Sequence, residues 1–394
     1  MESFHVERLA DGVHWVGVKD WNRRSFDALV PLPEGTSYNA YIVEGGKTAL
    51  IDTTNPGFEE VLARNVNAVC GFDAIDYVVM NHAEPDHAGA IAYVLERCER
   101  AKLIATEKGA KMASVMYGVP EDRMVVVHTG DTLELGTKTL RFIEAPWVHW
   151  PETMLTYLEE DKILFPCDFF GCHTPRGMYD DEVEDIISLA KRYFGEIMMP
   201  FRKMTKKALE SVMGLDVRMI APSHGPIYRN PSRILDAYAR WTEGYTKEKV
   251  IVVYVSMWGS TERMVDVMVD TLLSRGVQVC VYNLATADIG DVACELVDSR
   301  GIVLGTPTVL GGMHPVAFYG AHLTRVLRPP IEYGVMLSSY GWGGGAVRQA
   351  SDVLSHTSID VLGIIEVNGP PSDSDLTRVK ELGELLADKV KGMA

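Results

Sequence analysis

The chain has 394 residues, of which 47% are apolar and 23% charged, with a formal charge of −16. Its length exceeds the roughly 100–200 residues of one domain, so two domains are expected. The acidic balance argues against binding phosphate backbones or anionic membranes, which select clustered Lys and Arg, and nucleic acid is therefore not an expected partner.

Met1–Trp15 carries Glu2, His5, Glu7, Arg8 and Asp11 and so lacks the apolar core of a secretory signal. The longest apolar run of the second half, Val250–Trp258, is less than half the roughly 20 residues that span a bilayer. A soluble, cytoplasmic protein without a membrane partner is the expectation. Cys70, Cys98, Cys167, Cys172, Cys280 and Cys294 show no C-x-x-C pairing. That spacing argues against a disulfide framework or zinc ribbon and for reduced core thiols.

Along the chain, strand patterns come first. Tyr38–Val43 and Thr48–Asp52 flank a Glu44-Gly45-Gly46-Lys47 turn, the pattern of a hairpin. Gly45-Gly46-Lys47-Thr48 has the look of a phosphate-binding loop, but Tyr41 stands where its first glycine belongs, so an ATP site is rejected. Further β-rich runs are Tyr77–Met80, Lys102–Ala105, Val125–His128, Thr139–Ile143, Met154–Leu158, Ile163–Phe165 and Arg218–Ile220, with helices expected at Phe58–Val69 and Ala88–Arg97. Many short strands with interspersed helices suggest an α/β sandwich of two sheets. A helix pattern from Pro231 to Trp241 gives way to the polar, aperiodic Thr242–Lys249, where the domain boundary is expected, between 1–246 and 247–394. Beyond it apolar strands alternate with helices such as Glu262–Arg275. The strand runs are Val250–Val255, Gln278–Tyr282, Gly301–Leu304, Val335–Ser338 and Leu362–Val367. That order is the pattern of a doubly wound parallel sheet.

Asn81–Gly89 (NHAEPDHAG) follows an apolar strand and packs His82, Glu84, Asp86 and His87 into one short stretch. One such histidine alone reads as a surface or capping residue, but the set reads as metal ligands. Adjacent side chains in an extended turn diverge, so the four suit two neighbouring ions, with His82 and Glu84 on one and Asp86 and His87 on the other. His149, Asp168 and His224 each sit just past a β-rich run, so one edge of the sandwich would gather all seven. Trp147, Trp150, Tyr193 and His173 are candidates for pocket walls or proton donors, against the plainer reading of core packing.

H-x-E-x-D-H followed by distant His, Asp and His resembles the metallo-β-lactamase fold as used by flavodiiron proteins. The resemblance covers essentially the whole chain. It implies an α/β fold class, an N-terminal metallo-β-lactamase-like αββα sandwich followed by a C-terminal flavodoxin-like doubly wound parallel sheet. It also implies that His82, Glu84 and His149 hold one iron, that Asp86, His87 and His224 hold the other, and that Asp168 bridges them. Zinc hydrolases on this fold normally place His where Glu84 stands. Three carboxylates beside four imidazoles form a harder donor set, suited to redox-active iron.

In the second half, Ser256-Met257-Trp258-Gly259-Ser260-Thr261 joins a strand to a helix, and backbone N–H groups and hydroxyls at a helix N-terminus suit a phosphate. Read alone, this loop is equally an ordinary helix cap. Thr306-Pro307-Thr308 and the run Ser338, Ser339, Tyr340, Gly341, Trp342, Gly343, Gly344 and Gly345 follow two further strands. Their glycines allow close approach, and Tyr340 and Trp342 offer flat surfaces at the carboxyl edge of the sheet. All three segments match flavodoxin-like FMN loops. Val309-Leu310-Gly311-Gly312 departs from the family, which often places an aromatic or amide there. No G-x-G-x-x-G follows either domain's first strand, which weighs against NAD.

FMN and an iron pair store two electrons each, enough to reduce dioxygen to water or to couple nitric oxide into nitrous oxide. The expected activity is therefore that of a flavodiiron oxidoreductase acting on dioxygen or nitric oxide. Without rubredoxin cysteines in the sequence, electrons are expected from an external donor, either rubredoxin or the reduced deazaflavin coenzyme F-420. The resemblance further implies a head-to-tail homodimer, or a tetramer built from it. The alternatives are a zinc-dependent metallo-β-lactamase-type hydrolase with a regulatory flavodoxin domain, and a binding module or electron carrier with structural metals. Glu84 weighs against the hydrolase, and the open mixed-ligand site against a structural role.

Overall fold

A computed structural model describes residues 6–393. Glu2 and His5, used above to argue against an export signal, lie outside the described residues. The chain forms two compact units, Met1–Tyr193 with Phe201–Ala239, and Phe194–Pro200 with Arg240–Ala394.

The first unit holds two main sheets. One contains β1 (Glu7–Ala10), β2 (Val13–Trp15), β3 (Tyr41–Glu44), β4 (Thr48–Ile51), β5 (Ile75–Val79), β6 (Lys102–Ala105) and β7 (Met124–Val126), neighbouring one another in chain order. The other contains β8 (Thr132–Glu134), β9 (Thr139–Glu144), β10 (Met154–Leu158), β11 (Ile163–Phe165) and β12 (Met219–Ile220), again in chain order. Alternation along β4 divides the core. Ala49 and Ile51 pack with Phe142, Leu158 and Phe165 of the second sheet. Leu50 faces the helices that supply Leu62, Val66, Ile91 and Val94. A strand buried on both faces reads as a continuous apolar run, which is why β4 stands out in sequence.

The hairpin is present, with Glu44 opposite Thr48 across β3 and β4. The strand expected from Tyr38 is interrupted, however. Thr36–Tyr38 pairs with Val18–Asp20, and β3 begins only at Tyr41. The break has a physical cause at Asn39, whose Nδ2 donates to the carbonyls of Pro222 and Gly225 at 2.8 Å and whose Oδ1 accepts from Trp15 Nε1 at 2.9 Å. Strands β1 and β2 escaped the sequence reading because Glu7, Arg8 and His14 mask their alternation.

In the second unit, β13 (Lys247–Tyr254), β14 (Gln278–Asn283), β15 (Ser299–Val309), β16 (Tyr333–Tyr340) and β17 (Asp360–Asn368) form a parallel sheet in the order β14-β13-β15-β16-β17. This 2-1-3-4-5 order is that of flavodoxin-like folds. Val250, Val252, Val303, Val335 and Leu337 pack against Met264, Met268, Leu272 and Leu386 from the covering helices.

Several boundaries differ from expectation; Ser339 and Tyr340, for example, lie within β16 rather than after it. Helix Ser232–Glu243 enters the polar stretch and β13 begins within it at Lys247. The lysine at 249 is strand rather than linker because its ammonium is neutralised by Glu295 at 2.6 Å and by Asp298, while Lys247 meets Asp298 at 2.9 Å. Thr306, Pro307 and Thr308 likewise lie within β15 and not after it. The extension persists because Pro307 stands opposite Ser339, and Thr308 and Val309 pair back with Met313 and Gly312. Among the described residues no helix is long and apolar enough to cross a membrane.

Candidate functional site

The loop after β5 is fixed at its root. Asn81 donates from N and Nδ2 to Asp52 at 2.8 and 3.0 Å and accepts from Thr156 Oγ1 at 2.7 Å. Glu84 is in extended conformation, but Asp86 and His87 do not share it. Pro85 opens a helical turn, Pro85–Ala88, with Glu84 at its N-cap. Proline suits that first position because its fixed φ and missing N–H cost nothing there. The expected extended turn therefore ends at Glu84, and the helical turn after it brings the His87 ring to 5.5 Å from that of His82. His224 lies beyond β12 in the loop gripped by Asn39, where Gly225 has φ +77° and a Cβ would stand 2.5 Å from Cys172 Sγ. Only glycine fits there.

These elements bring all seven sequence-derived candidates together around Asp168. Its Oδ2 lies 3.5 Å from His82 Nε2 and 3.4 Å from His149 Nε2, and Glu84 Oε2 lies 3.1 and 3.2 Å from the same two nitrogens. Its Oδ1 lies 3.0 Å from His87 Nε2 and 3.4 Å from His224 Nε2, while Asp86 approaches those nitrogens at 3.3 and 3.1 Å. One carboxylate therefore offers a different oxygen to each of two groups.

The donors fit metal ions. A first-row divalent ion about 2.1 Å from each donor separates neighbouring donors by about 3.0 Å in an octahedron and about 3.4 Å in a tetrahedron. The spacings above span that range. Both carboxylate oxygens of Asp86, Oδ2 of Asp168, and Nε2 of His87 and His224 are buried without a hydrogen-bond partner among the described residues. Buried polar atoms are rarely left unpaired, and an ion satisfies them together.

Charge is balanced within the cluster. Burial opposes the charged form of His82, but the Glu152 and Glu84 carboxylates overcome it and raise the imidazole to about 10. His87 and His149 are also raised, burial again being outweighed, by Asp168 with Asp86 and by Asp168 with Glu84. Burial would lift the carboxyls of Glu84, Asp86 and Asp168, yet the surrounding imidazoles hold each below its ordinary value.

Of the other expected residues, Tyr193 donates its hydroxyl to Asp168 Oδ1 at 2.8 Å. His173 lies edge-on to Tyr193 and tilted against His224, with Nδ1 3.0 Å from Thr36 Oγ1, and burial together with His224 pushes it well below the usual imidazole range. Trp150 stands perpendicular to His82 at 5.0 Å. Trp147 is half-exposed and stacks on Phe201. The sequence reading missed Glu152, whose Oε1 lies 2.7 Å from His82 Nδ1, and Ser37, whose carbonyl lies 2.7 Å from His224 Nδ1. Glu152 had one available signal, an acidic residue shortly after His149 and just ahead of an apolar strand. Ser37 acts through its backbone and had none.

In the second unit the three loop segments gather at the carboxyl ends of β13, β15 and β16. Ser256 Oγ accepts from the N–H groups of Gly259 and Glu262, capping helix Ser260–Ser274. Thr261 Oγ1 lies 2.9 Å from Ser339 Oγ, and Thr306 Oγ1 accepts from His314 N. Trp258 and Trp342 are 90% and 88% exposed, and a Cβ at Gly259, Gly341 or Gly343 would meet no protein atom within 4 Å. The edge therefore presents flat apolar rings beside open, glycine-lined space, which fits a planar cofactor.

Residues 36–225 match the family described as ODP family beta lactamase. The chain is 37% identical to the nitric oxide reductase of Moorella thermoacetica, covering 97% of this chain and 98% of the relative. It is 35% identical to the reduced coenzyme F-420 oxidase of Methanothermobacter marburgensis, covering 98% and 99%. The crystal structure of the flavodiiron protein from Giardia intestinalis superposes with a TM-score of 0.94 at 30% identity, over 99% of this chain and 97% of that one.

Proposed function

The chain belongs to the flavodiiron protein family, and from that premise we propose that it reduces dioxygen to water, nitric oxide to nitrous oxide, or both. It is an oxidoreductase whose cofactors are FMN and a pair of iron ions. The observation that carries the reading is Asp168, with one oxygen toward His82 and His149 and the other toward His87 and His224. In the proposed assignment His82, Glu84 and His149 hold one iron, Asp86, His87 and His224 the other, and Asp168 spans both. The irons supply redox equivalents and Lewis acidity when bound. The chain's own task is to hold seven donors at fixed spacing in a buried site and keep bulk water away. His149 is the most exposed of the seven at 12% of its side chain, against 6% or less for the others, which supports entry of a small oxidant from its side.

FMN is assigned to Ser256–Thr261, Thr306–Thr308 and Ser339–Gly344, with Trp258 and Trp342 as the flat contacts. The proposed modules are 1–246 and 247–394, a division supported by the start of β13 at Lys247. Electrons enter from an external donor, rubredoxin or the reduced coenzyme F-420, and the working unit is a head-to-tail homodimer or a tetramer of such dimers in the cytoplasm. The hydrolase reading is not favoured, because relatives matching the full chain carry reductase and oxidase names.

An anaerobic preparation assayed for iron, zinc and flavin, then mixed with reduced donor and either oxidant, tests this. Two irons and one flavin per chain with consumption of oxygen or nitric oxide is the expected result. Zinc-filled protein that consumes neither after iron loading rejects it.

A further inference from the structure

The loop after β5 carries donors for both proposed ions, His82 and Glu84 near its start and Asp86 and His87 near its end. A short segment directly after β4, residues 52–56, reaches both ends. At the start, Asp52 Oδ1 accepts from Asn81 N at 2.8 Å and Oδ2 from Asn81 Nδ2 at 3.0 Å. A further donor, Ser223 Oγ at 3.4 Å, is longer and weaker. At the end, the helical turn Pro85–Ala88 is too short to satisfy its own last carbonyls. Thr53 supplies the His87 carbonyl with two donors, its N at 2.7 Å and its Oγ1 at 2.6 Å. The same hydroxyl accepts from Ala90 N at 3.3 Å. Pro56 then packs on Gly89, where a Cβ would stand 2.6 Å from Pro56 Cδ and 2.4 Å from the Pro85 carbonyl.

Asp52 is a costly residue at a strand end. It is buried, and its φ of +52° is a left-handed conformation uncommon for a residue with a Cβ. Its hydrogen-bond donors, the amide groups of Asn81 and the Ser223 hydroxyl, are all neutral. A buried carboxylate met only by neutral donors is a poor way to gain stability. Such a combination persists where the surrounding structure needs the position held, and it points to function. Thr53 is fully buried, and both of its donors go to one carbonyl of the ligand loop.

We propose that Asp52 and Thr53 are positioning residues that brace the two ends of the ligand loop separately. Asp52 holds the start, and with it the ion at His82, Glu84 and His149. Thr53 holds the end, and with it the ion at Asp86, His87 and His224. Two adjacent residues thereby set how firmly each of two ions is kept. The inference rests on the ligand assignment proposed above and concerns two residues which that assignment does not include.

The test uses the FMN-containing full chain, loaded anaerobically with cobalt(II) alone and challenged with a chelator, with release followed at the cobalt absorption. His149→Ala and His224→Ala mark which release phase belongs to which ion. Asp52→Gly removes both acceptors and adopts the positive φ without strain, and Thr53→Val removes the hydroxyl at nearly constant volume. Asp52→Gly is expected to release the His149-side ion about 10-fold sooner, and Thr53→Val the His224-side ion about 10-fold sooner, each sparing the other phase. Asp52→Asn, which keeps one acceptor, should fall between Asp52→Gly and wild type. Ile51→Val trims the core beside both residues and should leave both phases unchanged. Unchanged release from Asp52→Gly and Thr53→Val overturns the proposal, as does equal acceleration of both phases by either variant or by Ile51→Val, since general loosening would then suffice. Should Asp52→Gly not fold, Asp52→Asn and Thr53→Val decide. Wild type that binds fewer than two ions, or phases that neither histidine variant alters, rejects the ligand assignment itself and this inference with it.

Discussion

Protons and metal ions compete for the same atoms in this cluster, and the competition has a defined sign. His82 is raised from 6.5 to about 10, and His87 and His149 are raised as well. In the metal-free protein their stabilisation is fully present below 6.5 and is lost as pH rises through the folded values. Glu84, Asp86 and Asp168 are lowered, so their contribution is present above their ordinary values of 4.5 and 3.8 and is lost as pH falls. Metal-free protein should thus be most stable in the mildly acidic window between these limits. Metal uptake at pH 7.5 should release the proton held on His82, an effect fading as pH approaches about 10. Calorimetric titration in two buffers of different ionisation enthalpy measures this, and uptake without proton release at pH 7.5 contradicts it. At this scale the candidate ligands were legible because four of them crowd one loop and three end β-rich runs. Ser37 was not, because it meets His224 only through folding and with a backbone carbonyl, and Glu152 offered only its place between His149 and an apolar strand.

Elements were legible where burial produces pattern and obscure where charge is buried or a side chain breaks a strand. β4, the last three residues of β5 and the core of β13 are apolar runs, and they appear near their expected places. The first residues of β13 were hidden by Lys247 and Lys249, since a lysine at a strand position signals solvent unless its partner is known. Lys249 is 1% exposed and meets Glu295 and Asp298. Removing one partner of a buried ion pair typically costs about 3–5 kcal/mol, because the remaining charge is left in a poorly polarisable setting. Lys249→Ala should therefore lower the unfolding free energy of the second unit by about that amount in urea titrations, with the metal content of the first unit retained. A loss below about 1 kcal/mol would place the lysine among ordinary surface pairs. Asn39 is the counterpart in the first unit. It interrupts a strand that propensity alone would continue and uses its amide to hold the loop bearing His224.

For the whole molecule, the two sites belong to different modules, so the assembly decides which flavin serves which metals. If electrons pass between chains of a head-to-tail homodimer, each chain's FMN serves its partner's irons. Two variants then complement one another. Asp168→Asn is expected to impair iron retention and leave the flavin edge intact, and Gly343→Trp fills the open space at that edge and leaves the metal cluster intact. Each alone should be inactive. Mixed as exchanging dimers, half the molecules pair one of each variant, and such a pair contains one working flavin beside one working metal centre out of two. About a quarter of wild-type activity should return from random pairing in a two-fold dimer. Electron transfer confined to a single chain predicts none, because no chain in the mixture carries both sites.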